Sequence, residues 1–149
     1  MVILILLAFA LTCATVAIHA IGTLEGIAHL THAWRQKAPA PSRFASEIQI
    51  VRVISVLLFL HLLEASVWAS FYWLAGVVPN LETAIYFSLT SYTTVGYGDV
   101  VLPTPWRVLG PIEAGVGILM FGWSTAILVA AITKIHGERL RQRSHEGDQ

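Results

Sequence analysis

Charged residues are scarce in this chain of 149 residues, at 12% against 56% hydrophobic residues. Since soluble domains ordinarily carry about a quarter charged residues, this composition excludes an ordinary soluble domain and indicates an integral membrane protein. A single cysteine, Cys13, excludes a disulfide framework and a thiolate metal pair. The formal net charge is zero and no nucleic-acid-binding footprint is present, so we expect no nucleic-acid partner.

Three apolar stretches are long enough to cross a lipid bilayer, which takes about 20 residues. They lie at 1–34, 48–76 and 106–135. The first lacks the basic residues that open a signal peptide, so we expect it to be an additional N-terminal transmembrane helix. The segment 80–99 is too short to span and contains glycines, which is typical of a re-entrant helix and loop. The sequence therefore predicts an all-α membrane protein with three transmembrane helices and one re-entrant loop.

The stretch Thr94-Val95-Gly96-Tyr97-Gly98 has the chemistry of a site for a dehydrated cation. Gly96 and Gly98 take positive φ at no steric cost, so a backbone of alternating hand becomes accessible. Successive carbonyl oxygens can then point at one axis, and the Thr94 hydroxyl adds a further oxygen ligand. One chain supplies one strand of such a ring, so the site requires about four copies of the chain.

The residues before this stretch carry the signals of a short helix that ends at the loop. Asn80 can cap the N-terminus of this helix, and Glu82 complements its positive end. The opposite end carries about half a negative charge, which favours a cation beside it. This segment therefore predicts a helix whose C-terminus faces the ion path.

These residues, followed by Asp99 and a glycine-containing span, resemble the pore module of tetrameric potassium channels. The resemblance covers about 53–135 and is similar to bacterial two-helix pores, with 48–76 as outer helix and 106–135 as inner helix. It implies a homotetramer that conducts K⁺ passively, with K⁺ as permeant ion and with neither catalysis nor a cofactor. The segment 1–34 has no counterpart in that minimal pore. The resemblance implies that K⁺ is bound by the carbonyls of Thr94, Val95, Gly96 and Tyr97.

We define the filter as residues 94–98. The residues behind the filter depart from the family pattern. Where the family often has paired tryptophans and sometimes a glutamate that bonds the outer aspartate, this chain has Tyr86, Phe87 and Thr90. Tyr86 keeps a hydrogen-bond donor, whereas Phe87 has none. We therefore expect Asp99 to be held differently, with Tyr86, Thr90 and Arg107 as the candidate supports.

The last apolar span contains two candidate bending points for a gate, Gly117 and Gly122. Gly117 matches the family hinge if Trp106 is aligned with the tryptophan that commonly follows the filter. Close packing of helices is the alternative use of both glycines. Glu113 in the same span could support the filter from behind or lie at a seam between subunits, and its sequence context leaves both open.

Buried ionisable residues in the first two spans are functional candidates by default. Counting inward at about 1.5 Å per residue places Glu25, His61 and Glu64 near one depth. We predict that these residues, with His29, meet across the two helices, titrate and bias the gate with pH. A static hydrogen-bonded belt and a metal site of Glu25, His29 and His32 are the alternatives. The ionisable residues of the two spans are His19, Glu25, His29, His32, His61 and Glu64.

Basic residues cluster in or beside two segments, the predicted loop 35–47 and the predicted tail 136–149. By the positive-inside rule both are cytoplasmic, which places the N-terminus and the pore loop outside a cell (inner) membrane. No ladder of arginines marks a voltage sensor. The alternative functions are a weakly selective cation channel, a non-conducting accessory membrane subunit and a membrane metalloenzyme.

Overall fold

A computed structural model shows that all the regular secondary structure in the described part of the chain is helical. It describes the backbone of residues 1–35 and 43–147 and the side chains of residues 1–26 and 47–137. A short 3₁₀ turn at Trp106–Val108 precedes the last helix. The α-helices are α1 at Val2–Arg35, α2 at Arg43–Leu74, α3 at Leu81–Tyr92 and α4 at Leu109–Gly147.

Three segments are long and apolar enough to cross a membrane, at Val2–Gly26, Glu47–Leu74 and Trp106–Gly137. The short helix α3 has 12 residues, and at about 1.5 Å per residue it cannot cross a hydrocarbon core of about 30 Å. The prediction of an all-α membrane protein with three long apolar helices is therefore confirmed.

The helix ends differ from the predicted segment bounds. The second helix begins at Arg43, inside the predicted loop 35–47, and α4 continues to Gly147 through most of the predicted tail 136–149. Apolar composition predicts which part of a helix can lie in the membrane. Polar residues can extend the same helix beyond that part, so hydropathy alone does not locate the helix ends. The rest of the predicted loop lies outside the described residues.

Local sequence signals position α3 as predicted. Asn80 has extended backbone, and its side chain accepts a hydrogen bond from the Thr83 N–H at 2.8 Å. Glu82 lies in the first turn, where its charge complements the helix N-terminus. The helix packs against both α2 and α4, so its C-terminus at Tyr92 is held inside the bundle.

Aromatic side chains form much of the core around α3. Trp68 and Tyr72 of α2 and Tyr92 of α3 are buried, together with Phe87, whose ring meets Tyr72 edge to face at a centroid distance of 5.2 Å. Each such ring removes roughly 150–250 Å² from solvent, so these four side chains supply a large part of the apolar contact between α2 and α3.

The first helix packs against α2 and α4. A Cβ built on Gly22 would lie 2.3 Å from Leu60 Cδ2, and one on Gly26 would lie 3.4 Å from Val56 Cγ1. Small residues at this GxxxG spacing therefore let α1 approach α2 closely. This contact joins α1 to the rest of the bundle as a packed element.

Candidate functional site

The loop that follows α3 has a backbone of alternating hand. Positive φ values occur at Thr94 (62°), Gly96 (50°) and Gly98 (79°). Val95 and Tyr97 lie between them outside the left-handed region. Because hand alternates residue by residue, consecutive carbonyls can share one side of the strand, which an ordinary strand prevents.

Hydrogen bonds tie the first half of this loop to the last turn of α3. The Thr94 N–H donates to the Ser91 carbonyl at 2.9 Å, and the Gly96 N–H donates to the Thr90 carbonyl at 3.0 Å. The Thr90 hydroxyl donates to the Phe87 carbonyl at 3.0 Å. Thr90 therefore supports the loop through its backbone, and its hydroxyl is used inside the helix instead of at Asp99.

Asp99, just beyond the loop, is held by Tyr86 of α3 and by the backbone N–H of the next residue, Val100. The Tyr86 hydroxyl donates to Asp99 Oδ2 at 2.7 Å, and the Val100 N–H donates to Oδ1 at 3.0 Å. The Tyr86 hydrogen bond is the main reason that the pKa of Asp99 lies below its usual value. The same bond raises the pKa of Tyr86.

A cluster of polar side chains from all four α-helices is buried beneath the loop. This buried polar cluster joins His19 of α1, His61 and Glu64 of α2, Tyr92 of α3 and Ser124 of α4. His19, Glu64 and Tyr92 are at most 1% exposed, and His61 and Ser124 are 7% exposed. Buried polar groups in a membrane protein need partners, and here they partner one another.

Five hydrogen-bond contacts close the buried polar cluster, and His61 Nδ1 also lies 3.5 Å from Glu64 Oε2. His19 Nδ1 lies 2.8 Å from Glu64 Oε1, and the Tyr92 hydroxyl donates to Glu64 Oε2. His61 Nδ1 lies 3.1 Å from the Tyr92 hydroxyl. The Ser124 hydroxyl lies 2.9 Å from His61 Nε2 and 3.3 Å from His19 Nε2. The contacts form a ring that links the base of the loop to every helix of the bundle.

One family of known proteins matches the chain. The family model described as "Ion channel" matches residues 52–134, more than half of the chain. The chain belongs to this ion channel family. The match runs from the first turns of α2 to the membrane-spanning part of α4, so the predicted ion channel pore at about 53–135 is confirmed at this level. No curated protein and no solved structure gives a match to the channel.

The contact predicted for Glu25 is wrong, because the Glu25 side chain of the channel is exposed. His19 occupies the expected place and pairs with Glu64. The count along the sequence misplaced Glu25 in both depth and direction, since six residues of an α-helix correspond to about 9 Å along the axis and about 600° of rotation, which leaves the two side chains about 120° apart. The side chains of His29 and His32 lie outside the described residues, as does the metal site predicted from them.

The contact predicted between Arg107 and Asp99 of the channel is absent within one chain. The Arg107 Nε donates to the Leu102 carbonyl at 3.2 Å. Tyr86 and the Val100 N–H occupy the carboxylate of Asp99 instead. Arg107 lies one residue into the 3₁₀ turn, whose direction relative to the loop depends on the intervening chain and cannot be counted from spacing.

The positive φ of Thr94 was not predicted from the sequence. A β-branched residue at positive φ is uncommon and costs on the order of 1–3 kcal/mol. The spacing of the glycines was the available signal, because positive φ at every second residue, Gly98 and Gly96, predicts positive φ at Thr94 as well. The hydrogen bond from the Thr94 N–H to Ser91 holds this conformation.

Gly117 of the channel is a site of close packing. A Cβ built on Gly117 would lie 2.0 Å from the Tyr92 carbonyl oxygen and 2.9 Å from its carbon. No atom lies within 4 Å of a Cβ built on Gly122. The two candidate hinge glycines therefore differ: Gly117 admits the backbone at the end of α3, whereas Gly122 is open within one chain.

The set His19, His61 and Glu64 offers ligand atoms within 4.8 Å of one another. Imidazole and carboxylate ligands suit borderline metals such as zinc. Each ligand atom already has a hydrogen-bond partner, and no buried side-chain nitrogen or oxygen in the described residues lacks one. The arrangement is therefore complete as a proton-bonded network.

Removing the Tyr86 hydroxyl tests how Asp99 is held. The pKa of Asp99 is expected to rise towards its ordinary value in Tyr86→Phe, because that hydrogen bond favours the charged form. Since the folded-state pKa is lowered, Asp99 stabilises the fold above its unfolded pKa and loses this effect as pH falls through the folded pKa. An NMR titration of labelled aspartate carboxyl carbons measures the pKa of Asp99 in the wild type and in Tyr86→Phe. An unchanged titration in Tyr86→Phe, matching an exposed Ser70→Ala control, would contradict the assignment.

Proposed function

We propose that this channel is a homotetramer that conducts K⁺ selectively and passively through the filter at residues 94–98. The observation that carries the proposal is the alternation of positive φ at Thr94, Gly96 and Gly98. This backbone permits the carbonyls of Thr94, Val95, Gly96 and Tyr97 to replace the water around a dehydrated K⁺.

The exposure of the filter side chains supports assembly of several chains. Val95 is 51% exposed and Tyr97 is 72% exposed in one chain. Bulky side chains behind a filter must be braced if the carbonyl ring is to keep its diameter, so neighbouring chains are the natural cover. One loop supplies a single wall of the ion path, and closed rotational symmetry supplies the others.

The direction of α3 favours cations at the inner side of the filter. The helix ends at Tyr92 directly before Thr93, so its carbonyl end faces the base of the filter. Each such end carries about half a negative charge. We infer that the N-terminus and the filter mouth face outside the cell membrane and that the C-terminus is cytoplasmic, in agreement with the positive-inside rule.

Reconstitution of the purified chain into liposomes tests the proposal. We expect K⁺ flux from a tetramer, with a reversal potential in mixed K⁺ and Na⁺ that follows the K⁺ gradient. Gly96→Ala is the matched negative control, since alanine at φ 50° is strained. Equal K⁺ and Na⁺ permeability would favour a weakly selective cation channel. A chain that stays monomeric and passes no ion would favour an accessory subunit.

The buried polar cluster makes pH a second part of the proposal. Five groups share five contacts, and each contact takes one proton, so a total of five exchangeable protons satisfies the ring. With five protons the ring is also electrically neutral overall. A sixth proton adds a charge inside the membrane, and either two donors then face each other or Ser124 accepts from both histidines and turns its own proton out of the ring.

Protonation of the ring therefore rearranges the hydrogen bonds between helices. The titratable groups that face one another are His19 from α1, His61 and Glu64 from α2 and Tyr92 from α3, with the Ser124 hydroxyl facing them from α4. Tyr92 lies at the base of the filter, so this rearrangement changes the support of the filter. We infer that acid modulates the channel through this cluster.

K⁺ flux is expected to fall on acidification, because a further proton adds a charge to the ring inside the membrane. His19→Gln and His61→Gln each remove an ionisable member and are expected to flatten the pH dependence. His136→Gln, an exposed histidine of α4, is the matched control and should keep it. A pH profile that survives both cluster substitutions would remove the sensor from the proposal.

A further inference from the structure

Glu113 forms a second buried polar site that the conduction path and the buried polar cluster do not use. Its side chain is fully buried in α4. The Tyr72 hydroxyl of α2 donates to Glu113 Oε2 at 2.8 Å, and the Ser88 hydroxyl of α3 contacts Oε1. Ser88 Oγ also lies 2.6 Å from the Ala65 carbonyl oxygen of α2. One carboxyl group therefore joins three helices.

Counting protons assigns the protonation state of this carboxyl. A serine hydroxyl has one proton, and a backbone carbonyl can only accept. Since Ser88 Oγ and the Ala65 oxygen lie at hydrogen-bond distance, the Ser88 proton belongs to that contact. The contact between Ser88 Oγ and Glu113 Oε1 then requires a proton from Glu113. If Glu113 were a carboxylate, one of these two pairs of oxygen atoms would have no hydrogen atom between them.

The surroundings of Glu113 agree with this assignment. Its two hydrogen-bond partners, Tyr72 and Ser88, are neutral hydroxyl groups, so they supply no positive charge to balance a carboxylate. Tyr92 is the other titratable side chain of α3 near this carboxyl, and it is committed to Glu64. A fully buried carboxylate without a balancing cation is strongly disfavoured, whereas a carboxylic acid can both donate and accept.

We propose that Glu113 is a neutral carboxylic acid that positions the pore helix, donating its proton to Ser88 and accepting one from Tyr72. Ser88 precedes the end of α3 by a single helical turn, so its position sets where Tyr92 and the filter begin. The proposal rests on the proposed function for its flux readout alone. Glu113 acts through α3 and is a positioning residue, not an ion ligand.

Infrared spectroscopy of the purified channel measures the protonation state directly. At neutral pH we expect a carbonyl stretch of a protonated carboxyl group that shifts in D₂O and is lost in Glu113→Gln. Glu25→Gln, which changes an exposed glutamate of α1, should keep this band. A carboxylate band that Glu113→Gln removes would overturn the proposal, whether or not the chain conducts K⁺.

Conservative and truncating substitutions separate positioning from mere space filling. Glutamine reproduces the neutral acid, since its amide can donate to Ser88 and accept from Tyr72. We expect Glu113→Gln to keep K⁺ flux within about twofold, while Glu113→Ala leaves buried partners unsatisfied and lowers flux about tenfold or more. Loss of flux in Glu113→Gln equal to that in Glu113→Ala, with the tetramer intact, would overturn the proposal.

The two measurements distinguish failure of this inference from failure of the proposed function. If the wild-type chain passes no K⁺, the proposed function fails, and the infrared band still decides the state of Glu113. If the chain conducts and the band is absent, Glu113 is ionised and the inference fails alone. Should Glu113→Ala fail to fold, Ser88→Ala removes the acceptor instead, and the carboxyl band is expected to shift in position.

Discussion

Gly117→Ala is expected to abolish assembly of a conducting channel. The added methyl group would lie 2.0 Å from the Tyr92 carbonyl oxygen, which is backbone at the end of α3. A flexible side chain could swing aside, but this carbonyl can move only if the base of the filter moves with it. Overpacking of this kind typically costs about 1–3 kcal/mol, and here the strain falls on the loop at residues 94–98. Size-exclusion chromatography and K⁺ flux in liposomes measure the effect.

Gly115→Ala is the matched control for this substitution. It changes the same residue type on the same helix, but no described atom outside the neighbouring backbone of α4 lies within 4 Å of its added Cβ. Alanine is also the better helix former by about 1 kcal/mol, so flux should stay within about twofold of the wild type. Equal behaviour of the two variants would contradict the close approach of α4 to Tyr92.

Glu64→Ala is expected to destabilise the folded channel by about 2–6 kcal/mol, since two buried hydrogen-bond partners lose their contact at about 1–3 kcal/mol each. Glu64 is fully buried and receives His19 Nδ1 on one oxygen and the Tyr92 hydroxyl on the other. Its removal leaves both partners without an acceptor at the junction of α1, α2 and α3. Thermal unfolding of the purified channel in detergent, together with K⁺ flux in liposomes, measures the change.

Two comparisons make this prediction specific. Glu64→Gln keeps the size of the side chain and one carbonyl oxygen, so it should lose clearly less stability than Glu64→Ala. Glu25→Ala removes the exposed glutamate of α1 and should leave stability within about 0.5 kcal/mol. If Glu64→Ala and Glu25→Ala behaved alike, the buried polar cluster would not hold the four helices together.

The short-range features of the fold could be predicted because they depend on neighbouring residues. Asn80 caps α3 through the N–H of Thr83, three residues away, and Gly96 and Gly98 take the positive φ that glycine makes inexpensive. The length of each apolar run likewise decided which helices can cross a bilayer. These properties need no knowledge of which helix faces which.

Contacts between helices were less predictable, because they depend on rotation about each helix axis as well as on depth. Glu25 and His19 lie on the same helix about 9 Å apart along its axis, yet only His19 faces Glu64. Tyr86 and Arg107 were both reasonable partners for Asp99 by charge and polarity, and the direction of the chain after the filter chose Tyr86.

The amino-acid sequence by itself determined an all-helical membrane protein of the ion channel family, with a loop whose glycines permit a carbonyl-lined path. Only the tertiary structure decided that Thr94 joins the alternation, that Gly117 admits the Tyr92 backbone, and that Glu113 meets Tyr72 and Ser88. The physical reason is the range of the forces involved. Hydropathy and backbone preference act within a few residues, whereas buried hydrogen bonds and close packing require side chains from distant helices to meet at ångström precision.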